Sequence, residues 1–267
     1  MILDKIIEST KVRLENKKNN FSLEDLISEV NDKLTFNDFN TNSFEESLKT
    51  NEISFICEVK KASPSKGVIC NDFNPIKIAK DYENAGASAI SVLTETEFFK
   101  GNDSYLTEIA KETNLPVLRK DFIIDAYMIY EAKLLGASAV LLITSILDKE
   151  DLENFIKLAY KLNLTPLVEV HSKKELKIAI NAGANVIGVN NRNLKDFTVN
   201  INNTLSLEKN IPKNIRKNII FISESGIKTP EDIKLLNDNN IDAVLIGETL
   251  MRNDDKKLAI SNLKSLI

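Results

Sequence analysis

The sequence predicts an α/β fold of the (β/α)8, or TIM, barrel class with N-terminal capping helices. Three observations carry that expectation. Residues 84–93 (NAGASAISVL), 134–143 (LLGASAVLLI) and 181–190 (NAGANVIGVN) form a weak internal repeat, with a degenerate fourth copy at 239–247 (NNIDAVLIG). Each copy sets a tight turn between an amphipathic helical stretch and an apolar run, and a glycine at that point ends a helix in the left-handed region. The apolar runs are continuous rather than alternating, as in parallel strands covered on both faces. The first three turns, at Gly86, Gly136 and Gly183, recur about every 50 residues. One strand-helix unit takes about 25 to 35 residues, so each period holds two units.

In chain order, residues 1–52 precede the first strand. Ile2, Leu3, Ile6 and Ile7, and a second pattern from Ser22 to Val30, predict helices that cap the barrel. Strands follow near 53–60, 89–93, 116–120, 139–143, 166–170, 186–190, 219–223 and 243–246. Helical patterns lie between them, for example over 75–85, 126–135, 148–162, 172–182 and 230–238. Eight strands alternating with helices fit a closed barrel. An open doubly wound sheet usually has fewer strands and a glycine-rich first turn, which is lacking here. No linker rich in proline, glycine or serine divides the chain, so a single domain is expected, with 1–52 a helical extension and 53–267 the barrel.

The composition narrows the chemistry. With 267 residues, 43% hydrophobic and 28% charged, the chain is an ordinary globular one with room for a large core. A formal net charge of -4 gives no reason to expect nucleic acid or an anionic membrane as partner. No apolar run approaches the roughly 18 to 20 residues of a membrane span, and the N-terminus lacks a signal-peptide core. Cys57 and Cys70 are the only cysteines, which fits a reducing cytoplasm rather than a disulfide framework. His171 is the only histidine, so a histidine-rich metal site and a Ser-His-Asp triad are both poorly supported. Catalysis therefore falls to carboxylates, amines and amides.

In barrels of this class, chemistry sits at the C-terminal ends of the strands. Those ends are charged here: Glu58 and Lys60 after the first, Arg119-Lys120-Asp121 after the third, Glu169 in the fifth, Asn190-Asn191-Arg192 after the sixth. Strand alternation puts Glu58 with Lys60, Lys120 with Leu118, and Glu169 with Leu167, each pair on one face. With those faces turned inward, two lysines and two carboxylates converge on one mouth. A structural ion-pair layer is the plain alternative, but buried pairs add little stability, and function explains the density better. A neutral lysine there would form a Schiff base, whereas one kept protonated by carboxylates would act as a general acid. Glu58 and Asp121, near in sequence, favour the acid role.

The segments Ser223-Glu224-Ser225-Gly226-Ile227 and Ile246-Gly247-Glu248-Thr249 follow the seventh and eighth strands. Backbone N–H groups at those two places form the recurrent phosphate pocket of such barrels. His171 reads as a polar residue near a helix N-terminus, and Cys57 as packed between sheet and helices. Phe98-Phe99 lead into a mouth loop where an aromatic ring could line a pocket for a planar substrate.

At this point the sequence resembles the indole-3-glycerol phosphate synthase family. The likeness is carried by FICEVKKASPSKGVI (55–69), LTETEFFKGN (93–102), LPVLRKDFIIDAYMIYEAKLLGASAVLLI (115–143), LVEVHSKKEL (167–176), IGVNNRNL (187–194), SESGI (223–227) and LIGETLM (245–251). These blocks span nearly the whole barrel in order; the likeness does not extend reliably over 1–52. The resemblance implies an enzyme of tryptophan biosynthesis. It would convert 1-(o-carboxyphenylamino)-1-deoxyribulose 5-phosphate to indole-3-glycerol phosphate, carbon dioxide and water, with no metal or organic cofactor.

By the same resemblance Lys120 is the general acid that protonates the ketone, and Glu169 the base of the dehydration. Lys60 contacts the anionic substrate and is a candidate second acid, while Glu58 orients the lysines. Asn190 and Arg192 position the substrate, and Ser63 lies in the loop after the first strand. Ser225, Gly226 and Gly247 form the phosphate pocket; Phe99, Leu141, Leu194 and Ile246 form its apolar lining. Glu248 stands where relatives often carry serine. A carboxylate beside a phosphate would repel it, so Glu248 is expected to serve through its backbone N–H alone. A monomer is expected, and the length leaves no room for a second catalytic barrel. The alternatives are a Schiff-base aldolase or sugar-phosphate isomerase using the same phosphate pocket, and an inactive binding barrel.

Overall fold

The computed structural model describes residues 2–35, 43–193 and 197–267. Eight parallel strands close into a barrel: β1 (Ser54–Val59), β2 (Ala89–Leu93), β3 (Val117–Lys120), β4 (Ala139–Ile143), β5 (Thr165–Val170), β6 (Val186–Asn190), β7 (Ile220–Glu224) and β8 (Ala243–Ile246). Each strand pairs with its neighbours in sequence, and β1 closes the ring by pairing with both β2 and β8. Every expected strand is present to within one residue. The shift at β7 matters, because a strand that runs to Glu224 instead of 223 brings that carboxylate into the barrel wall.

Helices α1 (Ile2–Asn20), α2 (Leu23–Thr35) and α3 (Phe44–Ser47) precede the barrel. Between and after the strands come α4 (Pro75–Asn84), α5 (Asp103–Glu112), α6 (Ala126–Leu134), α7 (Lys149–Lys161), α8 (Lys173–Asn181), α9 (Asn202–Glu208), α10 (Lys213–Arg216), α11 (Pro230–Asp238), α12 (Glu248–Met251) and α13 (Lys256–Leu263). Their starts are written in the sequence. Asn74 followed by Pro75, Asn102, Asp125, Asp148, Ser172 and Asp255 each accept an N–H bond of the first turn, and Thr229 with Asp232 forms a capping box. Gly86, Gly136 and Gly183 all take positive φ after their helices. In the fourth copy of the repeat Asn240 takes φ 57 in glycine's place, asparagine being the side chain best suited to it.

The strands divide the core into two shells. Outward residues such as Cys57, Val59, Ile90, Val92, Val140 and Val168 pack against the helices. Inward residues such as Ile56, Leu118, Leu141, Leu167, Ile222 and Leu245 fill the barrel together with Phe44 and Leu48. Ser54 at the start of β1 donates to the Leu48 carbonyl, so α3 and the residue after it seat at the N-terminal end of the barrel. Fully burying one such side chain contributes about 1.5–3 kcal/mol.

Helix α1 lies at the other end. Its Arg13 donates to the Thr94 carbonyl (3.0 Å) and Asp121 (2.7 Å), Lys17 pairs with Asp103 and Glu131, and Lys18 with Asp125. The N-terminal segment thus covers both ends, as helices that cap a barrel should. Arg119 points outward from β3, fully buried. It donates to Asp103 (3.0 Å), Glu131 (2.7 Å) and the Met128 carbonyl (2.9 Å). By tying β3 to α5 and α6, this guanidinium fixes the strand from which Lys120 turns inward. Among the described residues no helix is long and apolar enough to cross a membrane.

Candidate active site

Alternation along the strands turns Glu58 of β1, Lys120 of β3, Glu169 of β5 and Glu224 of β7 into the C-terminal mouth, above the aliphatic residues of the same faces. Lys120 Nζ donates to Glu169 Oε2 at 3.1 Å and to Glu224 Oε2 at 2.6 Å. Lys60 Nζ, just beyond β1, donates to Glu58 Oε1. These groups line a cavity of about 610 Å3. Every expected site residue within the described segments borders it: Glu58, Lys60, Ser63, Phe99, Lys120, Leu141, Glu169, Asn190, Arg192, Ser225, Gly226, Ile246, Gly247 and Glu248. Leu194 lies outside the described residues.

Two glycines are what let the charged side chains fit. A methyl group on Gly247 would overlap the Glu58 carboxylate and crowd Lys60 Nζ, and one on Gly188 would overlap Glu224 Oε1. Gly188, inward-facing in β6, therefore makes room for Glu224. Ile246 borders the cavity, but its side chain belongs to the outer shell, and Leu245 is the inward aliphatic of β8.

The electrostatics decide which lysine chemistry the site allows. Burial presses Lys120 toward the neutral amine, but Glu224, Glu169 and Glu58 outweigh it and raise its pKa above the ordinary lysine value. Burial likewise opposes the charge on Glu169, yet Lys120 and His171 hold its pKa below the usual range. Glu224 goes the other way: burial, with Glu169 and Glu58 nearby, pushes it up to about 7 against the pull of Lys120. An ammonium aimed into a pocket between an ionised carboxylate and one that titrates near neutrality is a proton donor with a base beside it. A Schiff base needs the free amine, which this setting disfavours.

Three expectations are corrected. Asp121 does not support the charge of Lys120: its carboxylate takes Arg13 (2.7 Å) and the Thr94 hydroxyl (2.6 Å) on the outer side of the sheet. Glu224 supplies that support, at 2.6 Å, because β7 runs one residue beyond the expected end at 223. Its signal was the alternation Ile220, Ile222, Glu224. His171 is more than a polar residue at the start of α8, since its Nε2 lies 3.5 Å from Glu169 Oε1. Cys57 is buried in the outer shell as expected, and burial pushes its thiol pKa up.

Away from the lysines, the loops after β7 and β8 face the cavity. Ser225 and Gly226 both adopt positive φ (66° and 86°). Asn191, buried, donates to Ser223 Oγ (3.0 Å) and to the Ser225 carbonyl (3.2 Å), and accepts from Thr204 Oγ1 (2.9 Å). That network holds the turn in place. The Glu248 carboxylate is engaged by Arg252 of its own helical turn at 3.0 Å, and Lys66, Lys228 and Arg252 stand on the same rim. On the opposite side the buried Glu95 accepts from the N–H groups of Glu97, Phe98 and Phe99 (3.0, 2.7 and 2.9 Å). This turn sets Phe99 against Phe122, with ring centroids 6.0 Å apart.

A family model described as indole-3-glycerol phosphate synthase matches residues 3–263. A protein of Lachnoclostridium phytofermentans named indole-3-glycerol phosphate synthase is 50% identical over 275 residues, covering 100% of both chains. One of Ruminiclostridium cellulolyticum with the same name is 52% identical over 264 residues, covering 99% of each. Among solved structures, KGPDC from Streptococcus mutans aligns with a TM-score of 0.62 at 11% identity, over 80% of this chain and 97% of that one. 3-Hexulose-6-phosphate synthase from Salmonella typhimurium aligns with a TM-score of 0.62 at 15% identity, over 80% and 98%. At such identities these two likenesses speak for the barrel alone.

Proposed function

Because the chain belongs to the indole-3-glycerol phosphate synthase family, we propose that it closes the indole ring of tryptophan biosynthesis with Lys120 as the proton donor and Glu169 as the base. The observation that carries this division is the seat of Lys120 Nζ between Glu169 and Glu224 at the floor of the cavity. Ring closure joins a weakly nucleophilic aromatic carbon to the ketone of the deoxyribulose phosphate substrate. Negative charge grows on the ketone oxygen as that bond forms, and a fixed ammonium both neutralises it and supplies the proton. Carbon dioxide then leaves from the aromatic ring. A pocket that grips the carboxylate tightly in the ground state would slow that step, so Arg192 and Asn190 position it without neutralising it fully. Loss of water needs a proton removed on one side and the hydroxyl protonated on the other. In this scheme Glu169 takes the first and Lys60 serves the second, a role supported by its pairing with Glu58, which keeps an ammonium at the cavity.

The apolar side chains Phe99 and Leu141, with Leu245 of β8, form a slot for the aryl ring, and Ser63 borders it from the loop after β1. The phosphate lies across from it, at the backbone of Ser225, Gly226, Gly247 and Glu248, in reach of the Lys66, Lys228 and Arg252 rim. The Glu248 side chain, paired with Arg252, leaves its N–H for the phosphate. No cofactor enters this scheme, and the reading is of a cytoplasmic monomer, one barrel domain with a helical extension. The direct test supplies the deoxyribulose phosphate substrate and follows the rise of indole fluorescence. Absence of product from folded protein would refute the assignment.

A further inference from the structure

The two oxygens of Glu169 face different cations. Oε2 accepts from Lys120 at 3.1 Å, and Oε1 lies 3.5 Å from Nε2 of His171. The far side of the imidazole is held too, with Nδ1 at 3.4 Å from Oε2 of Glu175. Glu175 is itself pinned by the first turn of α8: it accepts the His171 backbone N–H at 2.7 Å, and its own N–H donates to Ser172 Oγ. Both ring nitrogens are shielded from solvent, and neither makes a directed hydrogen bond. Helix capping alone needs only the His171 backbone, so it leaves the side chain's place between two carboxylates unexplained.

We propose that His171 is a positioning residue for Glu169, pairing with its far oxygen so that the near one stays turned toward Lys120 and the substrate cavity, with Glu175 completing the clamp. The inference rests on the base role proposed for Glu169. Its electrostatic side follows from the groups that face this imidazole. Glu169 of β5, Glu175 of α8 and, further off, Glu224 of β7 surround it. Asp4 of α1 and Arg192 beyond β6 border the polar cavity on which it opens. Burial disfavours the imidazolium, but Glu175, Glu169 and Glu224 outweigh it and raise the His171 pKa above the ordinary histidine value. The imidazolium in turn acts with Lys120 to keep Glu169 ionised. Removing it lets the Glu169 pKa rise, so the base is lost at a higher pH as the solution is acidified.

His171 is the only histidine of the sequence, so its ring titration is read by NMR without ambiguity. In the parent protein the titration is expected above the ordinary histidine value, and in both Glu169→Gln and Glu175→Gln it moves to lower pH. In kinetics, His171→Asn shifts the acid limb of the kcat profile to higher pH. Its kcat falls about tenfold at the acid end, the size of a partly lost general base. KM stays within about twofold, because substrate binding is not what is lost. A capping role would lower thermal stability and leave that limb where it was. A histidine titration unchanged in Glu169→Gln, or an acid limb of His171→Asn that superimposes on the parent's, overturns the proposal. Undiminished kcat in Glu169→Gln overturns the base role and this inference with it. A normal loss in Glu169→Gln beside an unmoved limb in His171→Asn overturns the clamp alone. Should His171→Asn fail to fold, His171→Gln takes its place, and the NMR comparison needs neither.

Discussion

Replacing Lys120 by methionine nearly keeps the length of the side chain and removes the ammonium that Glu169 and Glu224 share. Both carboxylates are almost fully buried, and breaking a buried pair by removing one partner costs about 3–5 kcal/mol. The cost depends on pH in a direction that can be worked out. Glu224 already titrates near 7 with Lys120 pulling it down; without that pull both carboxylates hold protons more tightly in the folded state than in the unfolded one. The folded variant then binds more protons, so its stability improves on acidification and is lost as pH rises. At about 2–4 °C per kcal/mol for a chain of this size, the melting temperature at pH 8 should fall by roughly 6–20 °C, and by clearly less at pH 6. Activity is hit harder. The acid role is worth on the order of 10²–10⁴ in rate, so indole fluorescence should show kcat down by roughly a thousandfold, while a phosphate analogue still binds. Turnover within tenfold of the parent would refute Lys120 as the acid. A melting deficit that deepened at low pH would refute the account of its neighbours.

Two further substitutions probe the supports of the site. Gly247→Ala forces a methyl group onto the Glu58 carboxylate, and displacing that pair by ~1 Å should lower kcat about a hundredfold, at a stability cost of about 1–3 kcal/mol; steady-state kinetics with a melting curve reads both. Asn191→Ala removes the donor to the Ser225 carbonyl and the acceptor of Thr204. Loosening the turn should raise KM about tenfold with kcat nearly unchanged, the pattern of lost uniform binding, measured on initial rates over a range of substrate concentrations.

The barrel was legible because its signals are local. A left-handed turn, a continuous apolar run and a capped helix each fit within a few residues, and the repeat Gly86, Gly136, Gly183 announces their period. The inward charges Glu58, Lys120 and Glu169 followed from alternation along single strands. What sequence did not disclose are pairings across the barrel. Lys120 meets Glu224 over 104 positions of chain, and only closure of the ring brings β3 and β7 face to face. Asp121 misled for the same reason: adjacency in sequence places it on the opposite face of the strand, where Arg13 of the distant α1 takes it. His171 shows a third limit. The residue after a strand and before a helix cap reads as a connector, and its contact with Glu169 depends on how α8 leans on the mouth.

The arrangement of charge also orients the proposed substrate. Its two anionic ends, phosphate and aryl carboxylate, must choose between two halves of one cavity. The half below β1, β3, β5 and β7 holds lysines already matched with carboxylates: Lys60 with Glu58, Lys120 with Glu169 and Glu224. The half at β7 and β8 has cations on its rim, Lys66, Lys228 and Arg252; among the described residues its carboxylates are Glu248, turned onto Arg252, and Glu58, which lies against Gly247 and is matched by Lys60. A phosphate gains more from the second half, where fewer charges must be repaired to admit it. With the phosphate seated there, the proposed scheme sets the ketone toward Lys120 and the aryl carboxylate toward Asn190 and Arg192. The charge distribution therefore supports one direction of entry, phosphate toward β7 and β8, in which Lys120 is the proposed donor to the ketone oxygen.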